Sequence, residues 1–396
     1  MNTLIRTEAV VVGGGPAGLM LGLLLARQGR DVTVIEKHTD FLRDFRGDTI
    51  HPATQELLGE LGLLDELLAR PHSDMARIGL SWHGVEVPLA DFSRLPTRRK
   101  VMCFMPQWDF LDILADAAAR YPGFRLLRST RVESVLREGG RIVGVVGTGP
   151  DGGVTVTGRL VIDASGRDSV VRSLAGMQLK GMAAAMDVLW FRLPRTAGQR
   201  FPFIQAGAGM IITIEREGFF QIAHVIPAGS WSGSTSDLAH LRRRLRRISP
   251  HLAESMDREG LRTADIHLLR VRLERLVRWH TAGMLCIGDS AHPMSPAGGV
   301  GINLAVQDAV ATARILAPVL ARRDPGVRDL RRVQRRRAWP VVLTQVIQRR
   351  AQGPLLRETG PDAPMPPLLR TIRRFPWLIH VTGRFIGLGA RPEHLS

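Results

Sequence analysis

The sequence predicts a mixed α/β protein: a parallel sheet flanked by helices, a second β-sheet lobe inserted into it, and a helical C-terminal segment. Three observations predict it. Strand, glycine-rich turn, helix and second strand follow one another within residues 8–36. A second strand, glycine turn and helix stand at residues 284–320. Between them, residues 183–227 carry short β-rich runs with period-two alternation rather than helical spacing. The length of 396 residues suits two or three lobes, and an apolar fraction of 44% supplies a core, which excludes a mainly disordered chain.

The first unit opens with a valine-rich run at residues 8–12, followed by Gly13-Gly14-Gly15-Pro16-Ala17-Gly18, a G-x-G-x-x-G turn directly after a strand. Residues 19–27 read as a buried helix, Gly29 ends it, and residues 31–35 form a second strand closed by Glu36. Each part has a task in a Rossmann-like dinucleotide site. Gly13 makes the tight turn, Gly15 lets a pyrophosphate approach the backbone, and Gly18, beside Ala17, lets the helix pack closely on the strand. The helix N-terminus faces the phosphates and Glu36 accepts from a ribose hydroxyl. An acid at position 36 opposes a 2′-phosphate, so the ligand is FAD or NAD; spacing alone leaves both open.

The second unit opens with a buried strand at residues 284–287. Gly288-Asp289-Ser290-Ala291-His292-Pro293 follows, then Pro296-Ala297-Gly298-Gly299-Val300-Gly301-Ile302-Asn303. Ile302, Ala305, Val306, Ala309, Val310, Ala313, Leu316 and Leu320 then mark one face of a helix. A carboxylate at a strand end suits a sugar-alcohol chain. Free backbone N–H groups at a helix start suit a ring that becomes anionic on reduction.

Taken together, G-x-G-x-x-G with Glu36 and G-D-S-A-H-P-x-x-P-x-x-G-x-G-x-N resemble the class A flavoprotein monooxygenases of the para-hydroxybenzoate hydroxylase type, over about residues 6–320. The resemblance implies bound FAD, with NADPH or NADH as transient co-substrate. It implies that Asp289 holds the ribityl chain and that Gly301, Ile302 and Asn303 meet the flavin pyrimidine edge, with Pro296 and Gly299 in the same loop. It further assigns Arg46 to the flavin and nicotinamide, and Gln107, ahead of a helix at 109–119, to the flavin. The implied reaction is NAD(P)H-dependent hydroxylation through a flavin C4a-hydroperoxide. One departure stands out: Ser165 occupies the place where the family often has aspartate, and Asp163 lies two residues earlier.

The expected FAD-binding domain spans residues 1–72, 97–178 and 266–325, the substrate lobe 73–96 and 179–265, and the C-terminal helical segment 326–396. In the lobe, Phe220, Ile222, His224 and Ile226 share one strand face, and His224 is a candidate base over a phenolic substrate. A face nearly free of tyrosine favours a hydrophobic aromatic or polycyclic substrate, with dioxygen as co-substrate. His292 is expected to serve local structure beside the flavin. Two cysteines, Cys103 and Cys286, in apolar runs indicate neither a disulfide framework nor a metal site. No leader and no run long enough to span a membrane are expected, which places the chain in the cytoplasm.

Composition leaves one feature over. Lys and Arg total 54 against 37 acids, a net charge of +17, and only Lys37, Lys100 and Lys180 are lysines. Arginine clusters at 242–247 and 331–337 read as solvated helix faces, and no aromatic pattern suggests a nucleic-acid groove. The arginine-bearing helices near residues 377–388 could also touch anionic lipid weakly. Two other readings remain in view. One is a flavin oxidoreductase acting on a lipid or isoprenoid without oxygen insertion; the other, more distant, is a basic nucleic-acid- or membrane-binding protein. Oligomeric state is not legible.

Overall fold

The computed structural model describes residues 3–42, 49–182, 186–195, 198–356, 359–360 and 362–395. Five parallel strands form the middle of its main sheet, in the order Met284–Cys286, Gly152–Asp163, Thr3–Val12, Val32–Ile35 and Phe124–Leu127. Ala9, Val10, Val11 and Val12 are all buried. A strand covered on both faces has no solvent side, so its sequence is a continuous apolar run instead of an alternation. Helices Pro16–Arg27, Gln107–Ala119 and Val300–Leu320 pack together beside these strands. An antiparallel meander, Arg131–Glu138 and Arg141–Gly149, runs into Gly152–Asp163 and extends the sheet.

The first strand starts earlier than residue 8, because Thr3–Thr7 finds partners on the meander strand from Val154 to Gly158. Helix Pro16–Arg27 likewise starts inside the glycine motif, with Gly15 as its N-cap. Among the described residues, Ala297–Leu320 is the helical span long and apolar enough to cross a membrane. It is 83% buried inside the fold, where it serves as a core helix.

The two inserted segments meet in one seven-stranded sheet: His267–Arg270, Met186–Pro194, Phe219–Pro227, Met210–Glu215, Ile204–Ala206, Arg77–Trp82 and Val85–Asp91. Ile204–Ala206 pairs in parallel with Arg77–Trp82 and so joins them. The hairpin between the last two strands turns at His83 and Gly84, both at positive φ (46° and 85°), which matches the twist of its strands. His267–Arg270, which a boundary at residue 266 assigns to the FAD domain, hydrogen-bonds the lobe strand Met186–Pro194.

Two helices, Thr235–Ile248 and Pro250–Arg258, cover one face of this sheet: Phe220, Ile222 and Ile226 share a core with Leu241, Leu245 and Leu252. On the other face Met186, Val188, Ala223 and Val225 pack toward Ala297 of the second glycine loop.

Helices Val327–Leu356, Pro367–Arg374 and Leu378–Leu388 complete the chain. The first continues to Leu356, through Pro340 and Pro354. The C-terminal segment is bound into the body of the protein. Helix Leu378–Leu388 packs on strand Val85–Asp91 and helix Pro52–Leu61, and a Cβ at Gly383 would fall 2.2 Å from the Asp91 carbonyl oxygen.

Candidate functional site

The glycine motif is a cradle with no room for side chains on its inner side. Gly13 sits at φ +108°, and a Cβ there would meet the Ala164 carbonyl oxygen at 2.4 Å. A Cβ at Gly18 would lie 1.9 Å from the Gly13 carbonyl oxygen, so only glycine lets helix and strand close up. Gly15, in contrast, has open space around its Cβ position. The helix it caps has no side-chain cap and no acid in its first turn, which leaves N–H groups for an anion. Glu36, 3% exposed, accepts from the Gly14 N–H at 2.8 Å and approaches His38 Nδ1 at 2.6 Å. One carboxylate oxygen thus fixes the turn, and the other is held at the strand end by the backbone N–H of His38 (3.0 Å) and its ring.

The second loop meets the first. The Gly288 Cβ position is 3.2 Å from Ala17 Cβ, which places the second motif on the helix that the first motif starts. Asp289, in the turn Gly288–Ser290, pairs with Arg167 Nε at 2.9 Å and stays one-third exposed. Pro296 leads into the turn Ala297–Gly299; Gly299 (φ +64°) then caps helix Val300–Leu320 without any side-chain cap. Gly301 has open space at its Cβ position. Ile302 and Asn303 are buried in the first turn, and Asn303 Oδ1 accepts from Thr54 at 3.0 Å. Gln107 is not ahead of its helix but is its first residue, half-buried and with no side-chain hydrogen bond among the described residues. Arg46 lies outside the described residues.

These features fit an FAD. A glycine cradle that a Cβ would fill and two uncapped helix starts offer N–H donors for a pyrophosphate, and two fixed carboxylates offer acceptors for ribose and ribityl hydroxyls.

Asp163 does not stand in for the missing family aspartate by facing a ligand. It is fully buried, and its carboxylate accepts from Ser165 N and Oγ (3.0 and 2.6 Å) and from Ser169 Oγ (2.6 Å). It ties residues 163–169 into the turn against which Gly13 stands. Arg172, also buried, donates to the carbonyls of Ser290 and Arg167 and so clamps this turn to the Asp289 loop.

His292 does serve local structure. Its Nε2 is 2.6 Å from Asp308 Oδ2, and its ring stacks on Trp279 at 4.9 Å. Asp308 is where sequence reading fell short. The same carboxylate accepts from the Gly288 N–H (3.0 Å) and from Arg337 Nε (2.9 Å), and Arg337 reaches Glu393, which also pairs with Arg314 and Arg336. Burial alone would push the Asp308 carboxyl up, but His292 and Arg337 hold it below the ordinary carboxylate value. The available signal was the polar residues Asn303, Gln307 and Asp308 in the first half of a mainly apolar helix.

His224 is a correction. It is 1% exposed and lies on the strand face covered by the two lobe helices, so it has no path to the flavin side. Its Nδ1 meets the Met210 carbonyl at 3.2 Å, and burial, with Arg244 nearby, pushes its pKa down to about 4. It is a neutral core histidine and not a base.

The opposite face holds what the sequence did not reveal. Trp190 and Ile212 link the face beside Ala297 to a cluster with Phe104, Phe203, Ile386 and Leu388, so lobe, FAD domain and C-terminal helix meet there. Among the described residues, two donors on this face have no hydrogen-bond partner: Trp190 Nε1 and the Nε2 of Gln221, a residue 3% exposed. Both cysteines are buried, and burial pushes the Cys103 thiol up to about 12. Cys103 comes within 4.8 Å of His72 and Asp74, but Asp74 already pairs with Arg99.

Comparison with known proteins agrees with this geometry. A family model described as FAD binding domain matches residues 6–344. The chain is 35% identical over 335 residues to 6-methylpretetramide 4-monooxygenase of Streptomyces rimosus, covering 84% of this chain and 80% of that one. It is 27% identical over 387 residues to rifampicin monooxygenase of Streptomyces venezuelae, covering 90% and 73%. The solved structure of OxyS anhydrotetracycline hydroxylase from Streptomyces rimosus superimposes with a TM-score of 0.77 at 22% identity, over 98% of this chain and 77% of that one.

Proposed function

The chain belongs to the FAD binding domain family and is an FAD-dependent, NAD(P)H-using aromatic monooxygenase; from that premise we propose that it hydroxylates a hydrophobic, oxygen-bearing polycyclic aromatic compound. The observation that carries this is the flavin-side face of the lobe. It is apolar, built from Val188, Trp190, Ile212, Ala223 and Val225, and it holds two buried donors without acceptors. A buried orphan donor costs about 1–3 kcal/mol, so a pair of them on one face is an expectation of ligand oxygens. The similarity to monooxygenases named for 6-methylpretetramide and rifampicin supports the same substrate size.

When bound, FAD would supply the redox chemistry by which NAD(P)H electrons and dioxygen hydroxylate the ring, the inserted oxygen atom coming from dioxygen. The chain's own residues hold and orient. Gly13, Gly15, Ala17 and Gly18 with the helix start would receive the pyrophosphate, Glu36 the ribose, and Asp289 the ribityl hydroxyls. The uncapped start of helix Val300–Leu320, at Gly301, Ile302 and Asn303, would face the pyrimidine edge, where its dipole favours negative charge. The apolar face excludes water, and Trp190 and Gln221 would donate to substrate oxygens to fix which ring carbon faces the flavin.

The test is NAD(P)H oxidation and dioxygen uptake screened over polycyclic phenols and simple benzoates. Polycyclic phenols should stimulate both; stimulation by benzoates alone would overturn the substrate reading. NAD(P)H oxidation yielding a reduced product, with no coupled dioxygen uptake, would favour a reductase. The Gln221→Leu variant should raise KM roughly tenfold with FAD binding unchanged, since one donor to the substrate is lost.

A further inference from the structure

Most of the net charge lies away from the flavin motifs. Residues 330–392 hold thirteen arginines and two acids, Glu358 and Asp362, so eleven of the seventeen net positive charges sit there. From 363 to 392 there are five arginines and no acid. Helix Pro367–Arg374 buries Leu369 and Ile372 and turns Arg370, Arg373 and Arg374 outward. The turn that follows exposes Phe375 (46%) and Trp377 (60%), and Val381 is 53% exposed on the next helix. Trp377, Val381 and the exposed Arg384 recur at i, i+4 and i+7, so they form one outward face.

Single exposed apolar side chains are ordinary and need no partner. Two exposed aromatics in a three-residue turn directly after Arg373 and Arg374, with no acid nearby in sequence, are a different arrangement. We propose that residues 373–377, the end of one helix and the turn after it, and the outward face of helix Leu378–Leu388 dock on an anionic lipid surface. Phe375 and Trp377 enter the headgroup layer, and Arg370, Arg373, Arg374 and Arg384 meet the phosphates. A lipid surface is the occupant proposed because exposed aromatics and guanidinium groups stand side by side here, with five arginines and no acid from residue 363 to 392.

The same helix runs inward. Ile386 and Leu388 pack with Phe104 at the junction of lobe and FAD domain, so the helix extends from the exposed turn to the substrate face. If the substrate is a hydrophobic polycycle, as proposed above, docking would bring the site close to the phase in which it dissolves. That consequence rests on the substrate reading; the docking itself does not.

The experiment is flotation of the FAD-loaded full chain with vesicles of phosphatidylcholine alone or mixed with phosphatidylglycerol, at low and high salt. The protein should float with the mixed vesicles at low salt, remain free with phosphatidylcholine, and be released by salt. A Phe375→Ser/Trp377→Ser variant should lose vesicle affinity at least roughly tenfold, with its flavin spectrum unchanged. Arg373→Gln/Arg374→Gln should weaken binding and flatten its salt dependence. The proposal fails if the mixed vesicles do not bind at low salt, or if the double aromatic variant binds as well as the parent. It also fails if that variant converts a stable dimer to monomer, which would assign the face to a second copy of the chain.

Discussion

Glu36 and Asp289 stand in the two motifs and each carboxylate is held in place, Asp289 keeping one-third of its side chain exposed, where a sugar hydroxyl would reach it. Gly14 N–H fixes the first and Arg167 the second. The glycines between them are set by contact distance. A methyl group at Gly18 would fall on a backbone oxygen that cannot move away, so Gly18→Ala should abolish FAD retention, read as loss of yellow colour after desalting. His224 is the opposite case. Its folded pKa of about 4 lies below the ordinary 6.5, so the unfolded chain binds more protons between those values. The stability this histidine allows is present above pH 6.5 and is lost as pH falls toward 4. The His224→Leu variant should therefore lose less stability than the parent in urea unfolding at pH 5 relative to pH 7, by on the order of 2 kcal/mol. Its turnover at neutral pH should stay within about twofold of the parent, since a base would cost 10²–10⁴.

At the scale of elements, the C-terminal segment reaches the flavin loop through a buried ionic ladder. Glu393 meets Arg337, Arg337 meets Asp308, and Asp308 holds Gly288 N–H and His292. Arg337→Met leaves two buried carboxylates short of a partner, at a cost of about 3–5 kcal/mol. The urea midpoint should fall and FAD dissociate more readily; an unchanged midpoint would show that the ladder is not needed. The elements that position the cofactor were legible because strand, turn, helix and acid are local and each has its own pattern. The ladder was not, since Asp308, Arg337 and Glu393 are separated by 29 and 56 residues and meet only through packing. His224 was misassigned for a related reason. Alternation shows that Phe220, Ile222 and His224 share a face, but strand Phe219–Pro227 is buried on both faces, and only the covering helices reveal which one is turned from the flavin. Trp190 and Gln221 escaped notice because an unmet donor exists only once its neighbours are placed.

Over the whole molecule, the parallel-sheet domain carries both glycine motifs, the lobe turns an apolar face toward Ala297 of the second, and helix Leu378–Leu388 packs where lobe and sheet domain meet. The excess of arginine belongs mainly to those helices, where a few residues are structural and the rest face outward. The central claim is that this arrangement delivers one atom of dioxygen to an aromatic polycycle. It is tested most directly by turning over a polycyclic phenol with NAD(P)H under isotopically labelled dioxygen and weighing the product. The account predicts a product carrying one labelled oxygen atom, formed in step with NAD(P)H consumption. A product without label, or one changed only by hydrogen, would contradict it.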